Sequence, residues 1–483
     1  MGFTIAFLIW IAGTACLMYL DREKGIRVSR ALWLPVLWLW IIGSRPLSAW
    51  MSIWFGIGPG GAMQMGQATL DAQLDGSPMD AAFFLLLLVA GIAVLFKRKP
   101  RTMALLKANG PILLYFSYTM LSCLWSPFPD VALKRWIKDL GELAMVLIIV
   151  TEAEPLAAMR RVFSRVGVIL FSASILLIRY SWWGRGFEPG GDPMNTGVTT
   201  NKNTLGLTIF TIALGVVWSL LHALRAKHQP ERTRQIVARA AMMLLALVVL
   251  GMAHSATSIA CLMLGTMLIV LTQLPFIRGF PSRVHGLMCL LLLCGAVAMI
   301  FGGSAGVAGA LGRDATFTGR TEIWAAVIPL CPNPLIGAGF ESFWNSFGRD
   351  VPGLSEVQRG LNSAHDGYIE VYLNLGVLGV SLIVLLLGSG YRKACASFRN
   401  SSEIGGLALA YVATSLIYSV TEAGFRIMTP TWFLLLLSVV SAHGATAGLL
   451  GSAAPTPTAV RVRRPRLWVD SEEPDLPAIP GDR

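Results

Sequence analysis

Apolar residues in this chain gather in runs that recur from end to end. They fall near 3–20, 31–49, 80–96, 109–124, 136–151, 163–179, 203–222, 237–253, 256–275, 284–302, 367–388, 404–420 and 430–447. Most approach the roughly 20 residues an α-helix needs to cross a bilayer. The polar connections between them alternate in character. One set is rich in Lys and Arg: Asp21–Arg30, Lys97–Lys107, Thr151–Arg165, Arg225–Arg239, Phe276–Arg283, Tyr391–Asn400 and the tail after Leu449. Together these hold 27 of the 39 basic residues. Basic residues flanking a span mark the cytoplasmic side. The alternation therefore predicts thirteen helical spans, an outer N-terminus and an inner C-terminus. The first run has no basic residue before it and several after it, the pattern of a retained helix rather than a cleaved signal peptide.

The fold class that follows is all-α: a polytopic helical bundle forming one membrane domain over 1–448, with a cytoplasmic tail over 449–483. Composition agrees. Hydrophobic residues make up 54% of the chain and charged residues 14%, against about 25% charged in a soluble protein; mean hydropathy is +0.63. The net charge of +12 is retention charge beside anionic lipid. With no zinc-finger spacing and no RNA-binding signature, nucleic acid is not an expected partner. Of seven cysteines, only Cys331 falls clearly on the outer side, so no disulfide is expected there. The tail is rich in Pro, Ala and charge and is predicted to be disordered.

The outer connections are where chemistry belongs: Met51–Met79, Ser126–Arg135, Tyr180–Lys202, Gly251–Thr257, a long loop over 303–366, and Thr421–Thr429. A connection as long as 303–366 is usually functional or disordered, and its Trp, Phe and Ile content argues for order. Thr318 is placed to cap an amphipathic helix over Thr321–Ile328 that would lie at the interface. Arg320 stands at its start, where backbone N–H groups and a guanidinium make an anion site; an Arg reaching up to lipid phosphates is the alternative. The turn Pro332–Gly339 carries glycines that let backbone approach a neighbour closely. Then comes Asn362–Tyr368, opening the eleventh run, with His365, Tyr368 and Tyr372 predicted on one helical face and Glu370 one turn past Asp366.

A neutral imidazole at His365 is a candidate general base, because its pKa sits near ambient pH; a helix-capping His is the competing reading. Rim cations accompany it: Arg135 and Lys134, Lys138, Lys202, Arg45, Arg313 and Arg426, with His254 also outside. Charges at a membrane rim are costly and usually functional. Several cations with few acidic partners suit a lipid-linked anion such as a pyrophosphate. There is no HExxH, no Cys/His cluster, no outer carboxylate pair at close spacing and no GxSxG, so neither a metal nor another cofactor is expected. Because ATP and nucleotide sugars are absent outside an inner membrane, an outward-facing enzyme needs a donor that carries its own leaving group.

Several short motifs then add up: Trp125-Ser126-Pro127, Asn201-Lys202-Asn203-Thr204-Leu205-Gly206, Gly312-Arg313-Asp314, Thr318-Gly319-Arg320-Thr321-Glu322-Ile323-Trp324, Gly337-Ala338-Gly339, Ala364-His365-Asp366-Gly367-Tyr368 and Gly376-Val377-Leu378-Gly379. In this order the chain resembles the O-antigen ligase/polymerase superfamily of bacterial inner-membrane glycosyltransferases, most of all the exopolysaccharide polymerases of the succinoglycan type. Gly43–Ser48 and Asp75–Asp80 also resemble that branch, and the likeness runs from Gly43 to Thr429.

The resemblance implies a bundle like that of the GT-C glycosyltransferases, with about twelve to thirteen spans. It also implies metal-independent, inverting transfer on the periplasmic face from an undecaprenyl-pyrophosphate-linked glycan donor to a glycan acceptor. On matching positions His365 would be the base and Arg320 the pyrophosphate-binding cation. Lys202, Arg135, Lys138, Arg313, Asp366, Tyr368, Trp324 and His254 would contact substrate, with Tyr368, Tyr372 and Trp324 as stacking surface. Membrane lipids and a chain-length regulator are the expected partners. Two departures stand out. His254-Ser255-Ala256-Thr257-Ser258 replaces a segment that often carries an Arg, leaving Lys202, Lys138, Arg135 or His254 as the second cation. Asp366 stands where Asn is commoner, and could orient the imidazole. Ligation to another acceptor, and a lipid-linked glycan transporter, are the alternative functions.

Overall fold

The computed structural model describes residues 2–23, 26, 28–55, 77–188, 191–226, 230–278, 282–302, 320–346, 351–353, 363–398 and 402–446. Of the sequence expectations, Arg313, Thr318 and the tail 449–483 lie outside them. Helix occupies every predicted apolar run: α1 (Phe3–Leu20), α2 (Trp33–Ile42), α3 (Leu47–Phe55), α4 (Pro78–Lys97), α5 (Lys99–Lys107), α6 (Gly110–Ser122), α7 (Pro129–Val150), α8 (Pro155–Tyr180), α9 (Lys202–Arg225), α10 (Arg232–Ala253), α11 (Ala256–Leu271), α12 (Ser282–Gly302), α13 (Arg320–Val327), α14 (Gly367–Ser397), α15 (Ser402–Thr421) and α16 (Pro430–Thr446). The sheet among the described residues is one hairpin, β1 (Arg185–Phe187) and β2 (Pro193–Asn195), with Gly186 opposite Met194.

Seven of the described helices are long and apolar enough to cross a membrane: α1, α4, α8, α9, α10, α14 and α15. The protein is an all-α, multi-pass membrane protein. Burial sorts its helices. The most apolar stretches of α9 and α15 are each 83% buried, whereas that of α1 is 6% buried. Thus α9 and α15 form the centre, and α1 turns Leu8 and Ile9 outward, as a lipid-facing helix does. Around α9 pack α8, α10, α11, α15 and α16.

The second run departs from the single span expected over 31–49. It is two helices, α2 and α3, bent by 77°. The break falls at Gly43-Ser44-Arg45-Pro46, where proline lacks an N–H and restricts the residue before it. Arg45 holds the bend, its Nη2 donating to the Trp183 carbonyl at 2.7 Å.

The two polar ends of the bundle are built differently. At the Lys/Arg-rich end, Arg239 is almost fully buried and pairs with Asp21 at 2.7 Å and Glu23 at 2.8 Å, and Arg98 pairs with Glu152 at 2.6 Å. The first pairs tie the end of α1 to α10, and the second ties the end of α4 to the connection between α7 and α8. The candidate site lies at the other end.

Candidate active site

The loop that carries Arg320 folds onto α14 rather than standing free. In α13, Ile323 and Val327 are buried in a small core with Ala338, Phe343, Trp344, Val351, Ala364 and Leu373. Ile323 and Val327, from the apolar face predicted to lie on lipid, are therefore buried against protein, while Ile328 stays exposed. Glu370 anchors that core: its buried carboxylate accepts from Trp344 Nε1 at 2.9 Å and from the Ala364 amide. Trp324 Nε1 in turn donates to the Ala364 carbonyl at 2.9 Å. The residue before His365 is thus held from both sides.

The glycine-rich turn docks on a break in α14. Gly376 has φ +65°, inside an otherwise continuous helix. The N–H groups after the break donate back to the turn, Val377 to Pro334 at 2.8 Å and Leu378 to Leu335 at 3.2 Å. The carbonyls before it accept from the turn, Leu373 from Ala338 at 3.0 Å and Asn374 from Gly339 at 2.8 Å. Backbone meets backbone here, so neither side tolerates a side chain. A Cβ on Gly337 would lie 2.3 Å from the Asn374 carbonyl carbon. The turn also reaches the Trp125-Ser126-Pro127 segment: Trp125 Nε1 donates to Ile336 at 3.3 Å, and the Ser126 and Ser342 hydroxyls lie 2.7 Å apart. Three of the short sequence motifs are therefore one joint that positions the loop.

His365 departs from the sequence expectation in its placement. It is not on the helical face of Tyr368 and Tyr372; it precedes the helix, at φ +52°. Asp366 is the N-cap, its Oδ1 accepting from the Tyr368 and Ile369 amides at 2.8 Å each. Both cap bonds end on Oδ1, and the His365 Nδ1 that Asp366 was expected to orient faces another carboxylate. Burial pushes the Asp366 carboxyl above its usual range, opposed by those two amides and by Arg320.

The partner is Glu422, just past α15, which sequence reasoning missed. Its Oε2 lies 3.0 Å from His365 Nδ1. Its Oε1 accepts from Arg320 Nη2 at 2.8 Å and from Asn203 Nδ2 at 3.0 Å. One carboxylate thus gathers side chains from three segments far apart in sequence. The signal available beforehand was an acidic residue in a short outer connection between apolar runs, the kind of rim charge that is seldom incidental. A carboxylate only accepts, so the Nδ1 facing it carries the proton and Nε2 is the basic nitrogen. The His365 side chain is 33% exposed and that of Glu422 12%, so the imidazole is reachable while its anchor is shielded.

The other candidates divide. Lys202 pairs with Glu188, beside Asn203. Arg135 holds the loop, donating to the Glu341 carbonyl and to Asn345 Oδ1 at 2.9 Å, and Arg426 lies 3.5 Å from the Glu341 carboxylate. Tyr368 packs edge-on against Phe425, 5.2 Å between ring centroids, with its hydroxyl on the Leu416 carbonyl of α15. Lys138 sits over the Phe84 ring at 5.9 Å, among the contacts of α4. His254 ends α10 in a left-handed conformation, exposed. The structure does not join Lys138 or His254 to the Glu422 group. Among the described residues no group of three or more His, Cys, Asp or Glu is gathered as metal ligands would be.

A family described as O-antigen ligase matches residues 241–384. The chain is also similar to the exopolysaccharide production protein ExoQ of Rhizobium meliloti (strain 1021), 27% identical over 302 residues. Both comparisons support a likeness to the O-antigen ligase/polymerase superfamily. That alignment covers 57% of this chain and 63% of ExoQ, so less than two thirds of the relative's length is spanned. The segment matched to the superfamily's ligase description contains Arg320, His365 and the Gly376 joint; Asn203 and Glu422 lie on either side of it.

Proposed function

We propose that the protein is a glycosyltransferase that joins polyprenyl-pyrophosphate-linked oligosaccharide repeat units into exopolysaccharide or O-antigen, on the periplasmic face of a bacterial inner membrane. The observation that carries this reading is the Glu422 carboxylate holding Arg320 at 2.8 Å and His365 at 3.0 Å, a cation for the leaving group beside a base for the nucleophile. The donor's pyrophosphate would bind the guanidinium, which suits phosphate oxygens in bidentate geometry. His365 Nε2 takes the proton of the acceptor hydroxyl. The acceptor oxygen bonds to the anomeric carbon from the face opposite the pyrophosphate. The bond from that carbon to the pyrophosphate oxygen breaks, and its electron pair leaves with the phosphate, stabilised by Arg320. The product is inverted at that carbon. Transfer without a metal ion is what the likeness to the superfamily suggests.

Polymerisation is favoured over ligation by the similarity to a protein named for exopolysaccharide production; the ligase description of the matched family favours the second reading. The test is polysaccharide size in a deletion strain complemented with wild type or with His365→Ala at equal membrane levels. Polymerisation predicts single repeat units in the deletion and in His365→Ala, and long polymer with wild type. Long polymer that stays on its lipid carrier in the deletion means ligation. Lipid-linked units building up on the cytoplasmic face would overturn both in favour of transport.

A further inference from the structure

We infer that Glu422 is a positioning residue that gives up Arg320 to the donor and keeps His365. This rests on the reading of Arg320 as the pyrophosphate-binding cation. Both oxygens of Glu422 are in use: Oε1 accepts from Arg320 Nη2 at 2.8 Å and Asn203 Nδ2 at 3.0 Å, and Oε2 faces His365 Nδ1 at 3.0 Å. While Glu422 holds Nη2 the charge of the guanidinium is already offset, so its remaining N–H groups attract a phosphate less strongly. An incoming pyrophosphate also meets the like charge of that carboxylate. Exchange resolves both conflicts. The guanidinium passes to the pyrophosphate, and Glu422 stays behind on Asn203 and His365.

Asn203 is what makes the exchange leave a positioned group. It is neutral, it sits in the first turn of α9 next to the Asn201 cap, and its hydrogen bond to Oε1 does not depend on Arg320. The carboxylate it retains has lost one cation and faces Nδ1–H. When the acceptor proton arrives at Nε2, the imidazolium that forms is paired with Glu422 through Nδ1, the arrangement by which a buried carboxylate orients and stabilises a catalytic histidine. Donor binding and activation of the base are thereby coupled through one side chain: in the empty site the carboxylate neutralises Arg320, and in the loaded site it serves His365.

The test uses the purified full-length protein in detergent, with farnesyl pyrophosphate as the probe, alongside polymer formation in cells. Glu422→Gln removes the charge that competes for Arg320. It is expected to bind farnesyl pyrophosphate up to about fivefold more tightly than wild type, the range expected for losing one partly exposed ion pair, while polymer formation falls. Glu422→Asp, whose shorter arm cannot reach Arg320 and His365 together, is expected to shift binding in the same direction and to recover part of the polymer. It replaces Glu422→Gln if that variant does not purify as a folded species. Tighter binding together with lost turnover supports the exchange, since a merely structural role would weaken both. Unchanged or weaker binding in both variants, with Arg320→Ala abolishing binding, overturns the exchange and leaves the glycosyltransferase reading standing. Equal binding by wild type and Arg320→Ala overturns the pyrophosphate reading and the inference with it.

Discussion

The joint between the glycine-rich turn and α14 makes the most demanding structural prediction. Gly376 has φ +65°, and a Cβ there would lie 2.2 Å from the Leu335 carbonyl carbon and 2.4 Å from the Ile336 nitrogen. An Ala at this position faces two costs. With φ +65° and ψ −167° the backbone lies in a region open almost only to glycine, which costs a residue with a Cβ about 1–3 kcal/mol. Overpacking adds about 1–3 kcal/mol, at the upper end here because the obstacle is backbone tied down by the Val377–Pro334 and Gly339–Asn374 hydrogen bonds. Gly376→Ala should therefore cost about 2–6 kcal/mol, a large part of a typical stability of about 5–15 kcal/mol. Gly388, in the same helix, has nothing within 4 Å of an added Cβ, and Gly388→Ala should be neutral or stabilising by up to about 1 kcal/mol from helix propensity. Melting of the purified proteins, followed by tryptophan fluorescence, separates the two. Gly376→Ala should melt many degrees below wild type and fail to restore polymer, with Gly388→Ala indistinguishable from wild type or above it. Equal melting of the two variants would mean that the turn does not bear on α14 as described.

Two further outcomes follow from the same geometry. Burial raises the Asp366 carboxyl pKa above its unfolded value of 3.8, so the stability it contributes is full below that pH and is lost as pH rises through the folded value. Asn caps a helix as well as Asp without the buried charge, so Asp366→Asn should melt above wild type at pH 7, with the gap shrinking on acidification toward pH 4; a gap that is constant across this range, or that widens, refutes the assignment of burial as the cause. Lys138 and His254 stand outside the Glu422 group, so Lys138→Ala and His254→Ala should keep polymer formation within about threefold of wild type, whereas Arg320→Ala should lose about a hundredfold or more, as removal of a charge-stabilising donor does. A loss in His254→Ala comparable to that of Arg320→Ala would put a second cation site where the described contacts show none.

What the sequence made legible was whatever depends on local pattern. Apolar runs and alternating Lys/Arg located the helices because each is set by its own residues and its own flanks. The turn holding Gly337 could be flagged as a place of close approach, yet not the break at Gly376 that it meets, since a glycine carries no mark of which backbone it faces. The site divides along the same line. Arg320 and His365 stand out as charged or titratable groups in a long loop, and the family likeness gave each a role. Glu422 is a lone carboxylate at the end of an apolar helix, and its meaning lies in the 219 residues to Asn203, the 102 to Arg320 and the 57 to His365 that folding closes. Asp366 shows the opposite case: adjacency in sequence suggested a partner for the imidazole, but its Oδ1 caps α14 through two amide hydrogen bonds at 2.8 Å and the imidazole meets Glu422 instead. His365 is consequently displaced from the helix into a left-handed conformation, where its Nδ1 reaches a carboxylate from another segment. The local demand of helix capping and the distant placement of Glu422 are thus two sides of one arrangement, and a change at Asp366 that kept the cap would leave the His365–Glu422 contact in place.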